Sequence, residues 1–155
     1  MTQICGLLLL AALLCAGCVS SARKASLDAT PAIQHRIDEI CDAVQKKDLP
    51  RLDSYHLYGP RFSKFGSATP GREDAEAARE GEHKGISAAN DMRMQAEDLK
   101  IDTFGDTAIA TFILNYSFEG ANGHVAKKAR STLVFVKDAG DWKIIHEHLS
   151  AIPGP

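Results

Sequence analysis

Cysteine is scarce where it would matter to the fold. Cys5, Cys15 and Cys18 lie near the start, and only Cys41 lies beyond them, so the body of the chain cannot close an internal disulfide. Beyond Cys18 there is no CxxC pair and no cysteine-based metal-ligand spacing, and no phosphate-cradling glycine loop or G-x-S-x-G elbow occurs. An excess of one charge is missing too. Eighteen Lys and Arg stand against 20 Asp and Glu, a net charge of -2, which excludes general attraction to nucleic acid or an anionic membrane. The one dense basic patch, Lys127, Lys128 and Arg130, reads as a solvated strand face. What remains is an ordinary globular composition, 45% hydrophobic and 25% charged, in 155 residues, which suggests a single domain.

The longest apolar run, Ile4 to Val19, carries no charge and is shorter than the roughly 20 apolar residues that span a bilayer. It fits the apolar region of a signal peptide, although Met1-Thr2-Gln3 supplies only the α-amino charge before it. Leu14-Cys15-Ala16-Gly17-Cys18 resembles the lipobox of bacterial lipoproteins, with Cys15 where Leu is usual. The resemblance implies a signal peptide at 1–17, a diacylglyceryl group on Cys18 and a tether at 18–29. It places the protein at the bacterial cell envelope, lipid-anchored on the periplasmic face, with a plainly secreted soluble form as the alternative.

The domain is expected at 30–155. Thr30 and Pro31 suit a helix start, and Ile33, Ile37, Ile40, Cys41 and Val44 make one apolar stripe. Asp48 suits the cap of a second short helix, ended by Tyr58-Gly59-Pro60. Arg61 to Thr69 reads as irregular. A third helix, Gly71 to about Ala89, offers a thin apolar face and carries Gly81 and Gly85, so it is expected to pack lightly. From Met92 the period becomes two. Four strands are read, at 92–104, 107–119, 124–137 and 142–149, joined by hairpin turns. The fold class is α+β, with helices first and then a curved antiparallel sheet.

Tight turns fix strand register, and register decides which side chains share a face. Regular hairpins pair Leu99 with Phe112, Ala110 with Leu133, Leu133 with His146, and Ser131 with His148. One concave face then collects Leu99, Ile101, Phe112, Leu114, Tyr116, Leu133, Phe135, Ile144, His146 and His148, with Glu97 toward an end and no acid at its centre. The outer face collects Ile109, Thr111, Ile113, Asn115, Thr132, Val134, Val136, Ile145 and Leu149. That is too apolar for a solvated face, so a homodimer through the outer sheet face is expected.

Gly140-Asp141-Trp142-Lys143-Ile144-Ile145-His146-Glu147-His148-Leu149-Ser150 is similar to the closing strand of SnoaL-like and kinase-association-type members of the nuclear transport factor 2-like superfamily. Gly105 to Ala110, Arg130 to Val134, Tyr55 to Pro60 and Pro70 to Glu73 resemble its other landmarks. The resemblance implies a cone-shaped pocket between helices and sheet. It does not choose an activity, because relatives include isomerases, cyclases, dehydratases and non-enzymatic modules.

The ligand-binding candidates are Tyr55, Tyr58, Phe112, Leu114, Tyr116, Leu133, Phe135, His146 and His148. His146 is the candidate general base, since a neutral imidazole in an apolar pocket can accept a proton. Asp53 can approach from the second helix. Trp142 is expected to cap the sheet edge, and His56 and His83, in polar stretches, to be solvated. A metal would need His124 or Glu97 beside His146 and His148, and no metal or cofactor is expected. The leading expectation is a pocket for a small, largely apolar molecule. An enzyme of the isomerase, cyclase or dehydratase kind using His146, and a non-catalytic dimerisation module, are the alternatives.

Overall fold

The computed structural model describes residues 29–154. The leader, Cys18 and the tether up to residue 28 lie outside the described residues, while Ala29, expected to end the tether, is buried in the first helix. Helix α1, Ala29–Gln45, includes two residues before Pro31, where Thr30-Pro31 suggests its start. Its stripe buries as expected: Ile33 and Ile37 are sealed, and Ile40 and Cys41 are half-buried. Helix α2, Leu49–Ser54, is capped by Asp48, whose side chain accepts from the Arg51 amide at 3.2 Å. Helix α3, Ala75–Ala88, starts later than expected, where Asp74 accepts from the Ala77 amide at 3.0 Å. It buries only Ala78 and Ile86.

The sheet has five strands: β1 Ser63–Phe65, β2 Asn90–Phe104, β3 Thr107–Gly120, β4 Gly123–Asp138 and β5 Asp141–Ile152, in the order β1-β5-β4-β3-β2. The long strands form an antiparallel meander. Its last turn is two residues, Ala139 and Gly140, both at positive φ, as a primed hairpin turn requires. Strand β1 is an addition to the sequence reading. It forms in the stretch expected to be irregular and pairs in parallel with the free edge of β5. Two buried layers close the core: Ile33 and Ile37 from α1 meet Phe112, Leu133, Phe135, Trp142 and Ile144 from the sheet. Burial of each such side chain contributes about 1.5–3 kcal/mol. Trp142 is 7% exposed and belongs to this core, with Lys137 Nζ 5.9 Å from its ring centre.

Bulges in β5 and β2 correct the register. In β5, Val134 faces His146 but Phe135 faces Ile144, so Ile145 is an extra residue. Leu133 therefore pairs with Glu147, not His146, and Ser131 with Leu149, not His148. A slip of one residue exchanges the faces. His146 and His148 move to the outer face, and Glu147 and Leu149 move inside. In β2, Asp98 and Leu99 together oppose Phe112, with Asp98 at φ 52°. Upstream of that bulge Glu97 lies outside and exposed, and Met92, Met94 and Ala96 line the inner side. The remaining pairings, including Phe112 with Ser131 and Ala110 with Leu133, follow the turns as expected.

Candidate functional site

The β5 bulge brings the one carboxylate that the regular register kept off the inner face. Glu147 is 6% exposed. Its neighbours come from the edge of β5. The chain after α2 docks there through Leu57 N to Ile144 O at 2.8 Å and Ile144 N to Tyr55 O at 2.9 Å, which sets His56 beside the strand. Strand β1 then aligns Lys64 directly with Glu147. Positions 56, 64 and 147 thus meet because two irregular segments add themselves to one sheet edge.

Glu147 is held from both sides. His56 Nε2 lies 2.7 Å from its Oε1, and Lys64 Nζ lies 2.7 Å from its Oε2. His56 Nδ1 is 2.9 Å from the Leu52 carbonyl, which can only accept, so Nδ1 carries a hydrogen. The proton between Nε2 and Oε1 then makes either an imidazolium–carboxylate pair or a neutral pair. The Lys64 ammonium on the second oxygen favours the ionised form. The imidazole stacks on Tyr58, with centroids 4.9 Å apart and planes 4° from parallel, and meets Phe62 edge-on. Far from being solvated, His56 has a side chain 1% exposed.

Helix α3 supplies the fourth member. Glu82 Oε1 accepts from Lys64 Nζ, and its Oε2 accepts from the Tyr58 hydroxyl at 3.3 Å. The same helix is tied down on its other side by Asp53. That carboxylate accepts from Arg79 Nε at 2.8 Å and pairs with His83 Nε2 at 2.8 Å. His83 is half-buried in this pair rather than solvated. Asp53 therefore braces α3 instead of pointing into the cavity.

The four groups divide by electrostatics. Burial alone would raise the Glu147 carboxyl, but the Lys64 charge and the His56 hydrogen bond outweigh it and hold the carboxyl well below the usual carboxylate range. Burial would lower His56 and Lys64, yet Glu147 raises both above their ordinary values, with help from Glu82. Burial and the nearby Glu147 charge push Glu82 up to about 7, with Lys64 offsetting only part. Burial, then the Glu82 charge, also raises Tyr58. Glu147 and Lys64 are thus held in their charged forms, His56 is shifted toward its charged form, and Glu82 is poised between its two forms. A nitrogen of His56 and carboxylate oxygens of Glu82 and Glu147 lie within 4.8 Å of one another. The Lys64 ammonium bonds both carboxylates, so a side chain already fills the place of a cation.

This quartet sits at one corner of a cavity of about 410 Å³. Apolar walls come from Ile37, Val44, Phe112, Leu114 and Leu133, with Met92 and Met94 from β2. Exposed lining residues Ser67, Ala68, Thr69 and Gly81 place its opening between the 66–73 loop and α3. Of the residues singled out from sequence, Phe112, Leu114, Tyr116 and Leu133 line this cavity. Phe135 is fully buried in the core, and Tyr55 is buried with its hydroxyl accepting from Arg51 Nε at 2.6 Å. Tyr58 acts from behind, on His56 and Glu82. His146 faces outward, 2.9 Å from Ser63 Oγ, and His148 is exposed there beside Phe65. His124 pairs with Glu119 in an exposed hairpin.

The model of the SnoaL-like domain matches residues 33–155. The chain belongs to this family. No functionally curated protein matches the sequence significantly. Among solved structures, a putative dehydratase of the NTF2-like family from Streptomyces avermitilis is similar, with TM-score 0.74 and 17% identity over 82% of this chain and 98% of that one. An NTF2-like superfamily protein from Salmonella enterica has TM-score 0.71 and 16% identity over 87% and 94%. A CaMKII hub from S. rosetta has TM-score 0.66 and 27% identity over 79% and 95%. These place the cone fold on firm ground.

In this SnoaL-like domain, Glu82 and Glu147 should leave opposite marks on stability. Glu82 binds its proton more tightly folded than unfolded, so its contribution falls as pH rises from its ordinary 4.5 to about 7 and is level above that. Glu147 does the reverse: its contribution is present above 4.5 and is lost as pH falls. Urea unfolding from about pH 4 to about pH 8 should show Glu82→Gln gaining on the native chain up to about 7 and no further. Glu147→Gln should cost about 3–5 kcal/mol at neutral pH, because it removes the buried carboxylate that His56 and Lys64 share. A Glu82→Gln difference that stays flat with pH would show that Glu82 keeps its ordinary ionisation.

Proposed function

We propose that the cone binds a small, largely apolar molecule, with its apolar body among Phe112, Leu114, Leu133, Met92 and Met94 and its polar end at the Lys64–Glu82 corner. The observation that carries this reading is the convergence of polar groups on one corner of an otherwise apolar cavity of about 410 Å³. A second reading, an isomerase or dehydratase type of enzyme, draws on Glu82, a carboxyl inside the cavity that changes charge near neutrality. Glu82 replaces His146 as the candidate base, because His146 lies across the sheet. Decan-2-one serves both readings as a neutral, enolisable probe. Binding should be lost when Leu114→Trp fills the cavity. Deuterium exchange beside its carbonyl, if the second reading holds, should disappear in Glu82→Gln while binding stays. Binding that persists in Leu114→Trp would remove the cavity as the site.

We further propose a homodimer through the outer sheet face. Ile109, Ile113, Val134, Val136 and Ile145 sit on it, each only half-buried within one chain. The bulge adds His146 and His148 to this face and takes Leu149 from it. Val134→Lys should convert a dimer to a monomer in light scattering. A native chain that scatters as a monomer at micromolar concentration would reject the interface.

The lipobox-like segment supports a lipid anchor at Cys18 and a place in the bacterial envelope, with a secreted soluble form as the alternative. Among the described residues, no helix is long and apolar enough to cross a membrane. Radiolabelled palmitate should enter the native chain and not Cys18→Ser; label remaining on the variant would exclude Cys18 as the acceptor.

A further inference from the structure

Charge arithmetic at the cavity corner goes further than shape. With the His56 imidazole protonated, His56, Lys64 and Glu147 form a set with a net charge of one positive, all carried by the sheet edge and the segment docked on it. The balancing anion, Glu82, comes from a different element. Helix α3 buries only Ala78 and Ile86 and is held chiefly by polar contacts: Asp53 with Arg79 and His83, Lys47 Nζ to the Ser87 carbonyl at 3.2 Å, and Glu82 itself with Lys64. Lys64 Nζ has three N–H bonds. Glu147 and Glu82 accept two, and the third is available at the cavity wall, where Lys64 is a lining residue.

We infer that the cavity is built for an apolar monocarboxylic acid, whose carboxylate takes the place of Glu82 as counter-anion to Lys64 while Glu82 takes up one proton and donates it as a hydrogen bond. No bond to carbon changes: one proton leaves its solvent donor and forms an O–H bond on a Glu82 oxygen. The inference rests on the binding reading above and specifies the ligand of that site. An anion entering without this exchange would meet two carboxylates and lose more than it gained. With Glu82 protonated it meets a net positive corner, a free ammonium N–H and a carboxyl O–H, and charge-assisted hydrogen bonds of this kind are about twice as strong as neutral ones. The nearly neutral ionisation of Glu82 makes the exchange accessible at ordinary pH.

The groups facing Glu82 are Lys64 from β1, Glu147 from β5, and His56 and Tyr58 from the segment after α2; Arg79 and His83 on its own helix turn to Asp53. His56 also titrates, so the test separates the two. Calorimetry on the full chain compares decanoate, ionised throughout, with decan-1-ol. Decanoate affinity should fall about tenfold per pH unit above 7, with uptake of close to one proton, while decan-1-ol affinity stays flat. Glu82→Gln cannot ionise, so it should bind decanoate with no such slope and no proton uptake. Lys64→Met should weaken decanoate about tenfold or more and decan-1-ol little. A decanoate affinity independent of pH in the native chain, or a slope that survives in Glu82→Gln, would overturn the exchange. Binding of decan-1-ol without decanoate would overturn the acid alone and leave the cavity reading standing; binding of neither would overturn both.

Discussion

The carboxylate of Glu147 governs the geometry around it. Taking a carboxylate out of water costs several kcal/mol, and it survives there only with charged donors on its oxygens. Both donors come from chain that has little regular structure of its own. The 55–57 segment and the three-residue β1 find their backbone partners on β5, and their side chains His56 and Lys64 find Glu147. Edge pairing and ion pairing therefore select the same conformation. Tyr58 and Phe62 pack on the imidazole and inherit their positions from it.

Bulges make this arrangement possible in a sheet that otherwise obeys simple alternation. A regular β5 would put His146 and His148 on the inner face and leave Glu147 on the outer one. One extra residue, Ile145, reverses that. The second bulge does similar work in β2, turning Glu97 out and Met92 and Met94 in. The cavity consequently has apolar walls on β2 to β5 and α1, while its charged groups gather where β1 joins β5 and on the α3 and 66–73 loop side facing that edge.

Much of the fold was legible because turns and periodicity are local. The strands, their hairpins, the α1 stripe and the Asp48 cap all rest on residues a few positions apart. The middle of the sheet was legible for the same reason: from the β3–β4 turn to Phe112–Ser131 no residue is inserted. The polar site was not, since a register carried outward from a turn is valid only up to the first bulge. A signal was nonetheless present. Trp142 and Ile144 keep one parity, Leu149 the other, and the Ile144-Ile145 doublet between them is where the apolar alternation breaks. Reading a bulge there would have brought Glu147 inside. Nothing comparable marked His56, Lys64 or Glu82. Their meeting depends on β5's free edge and on α3 lying over it, and neither is encoded within a short window.

The cluster also divides the molecule into a fixed part and an adjustable one. Three of its charges belong to the sheet side, where movement would break backbone pairing as well as ion pairs. The fourth is on α3, which contributes little apolar burial and carries exposed Gly81 and Gly85 within its length. Burial raises the proton affinity of Glu82 because it desolvates its charge, and the fixed Glu147 adds to that, so the adjustable element also carries the group nearest to a change of charge. The cavity opens beside that same helix. The cavity mouth and the group nearest to a change of charge thus lie in one wall, while α1 and the middle of the sheet supply apolar packing. A pocket so divided can alter its polar end without disturbing its core.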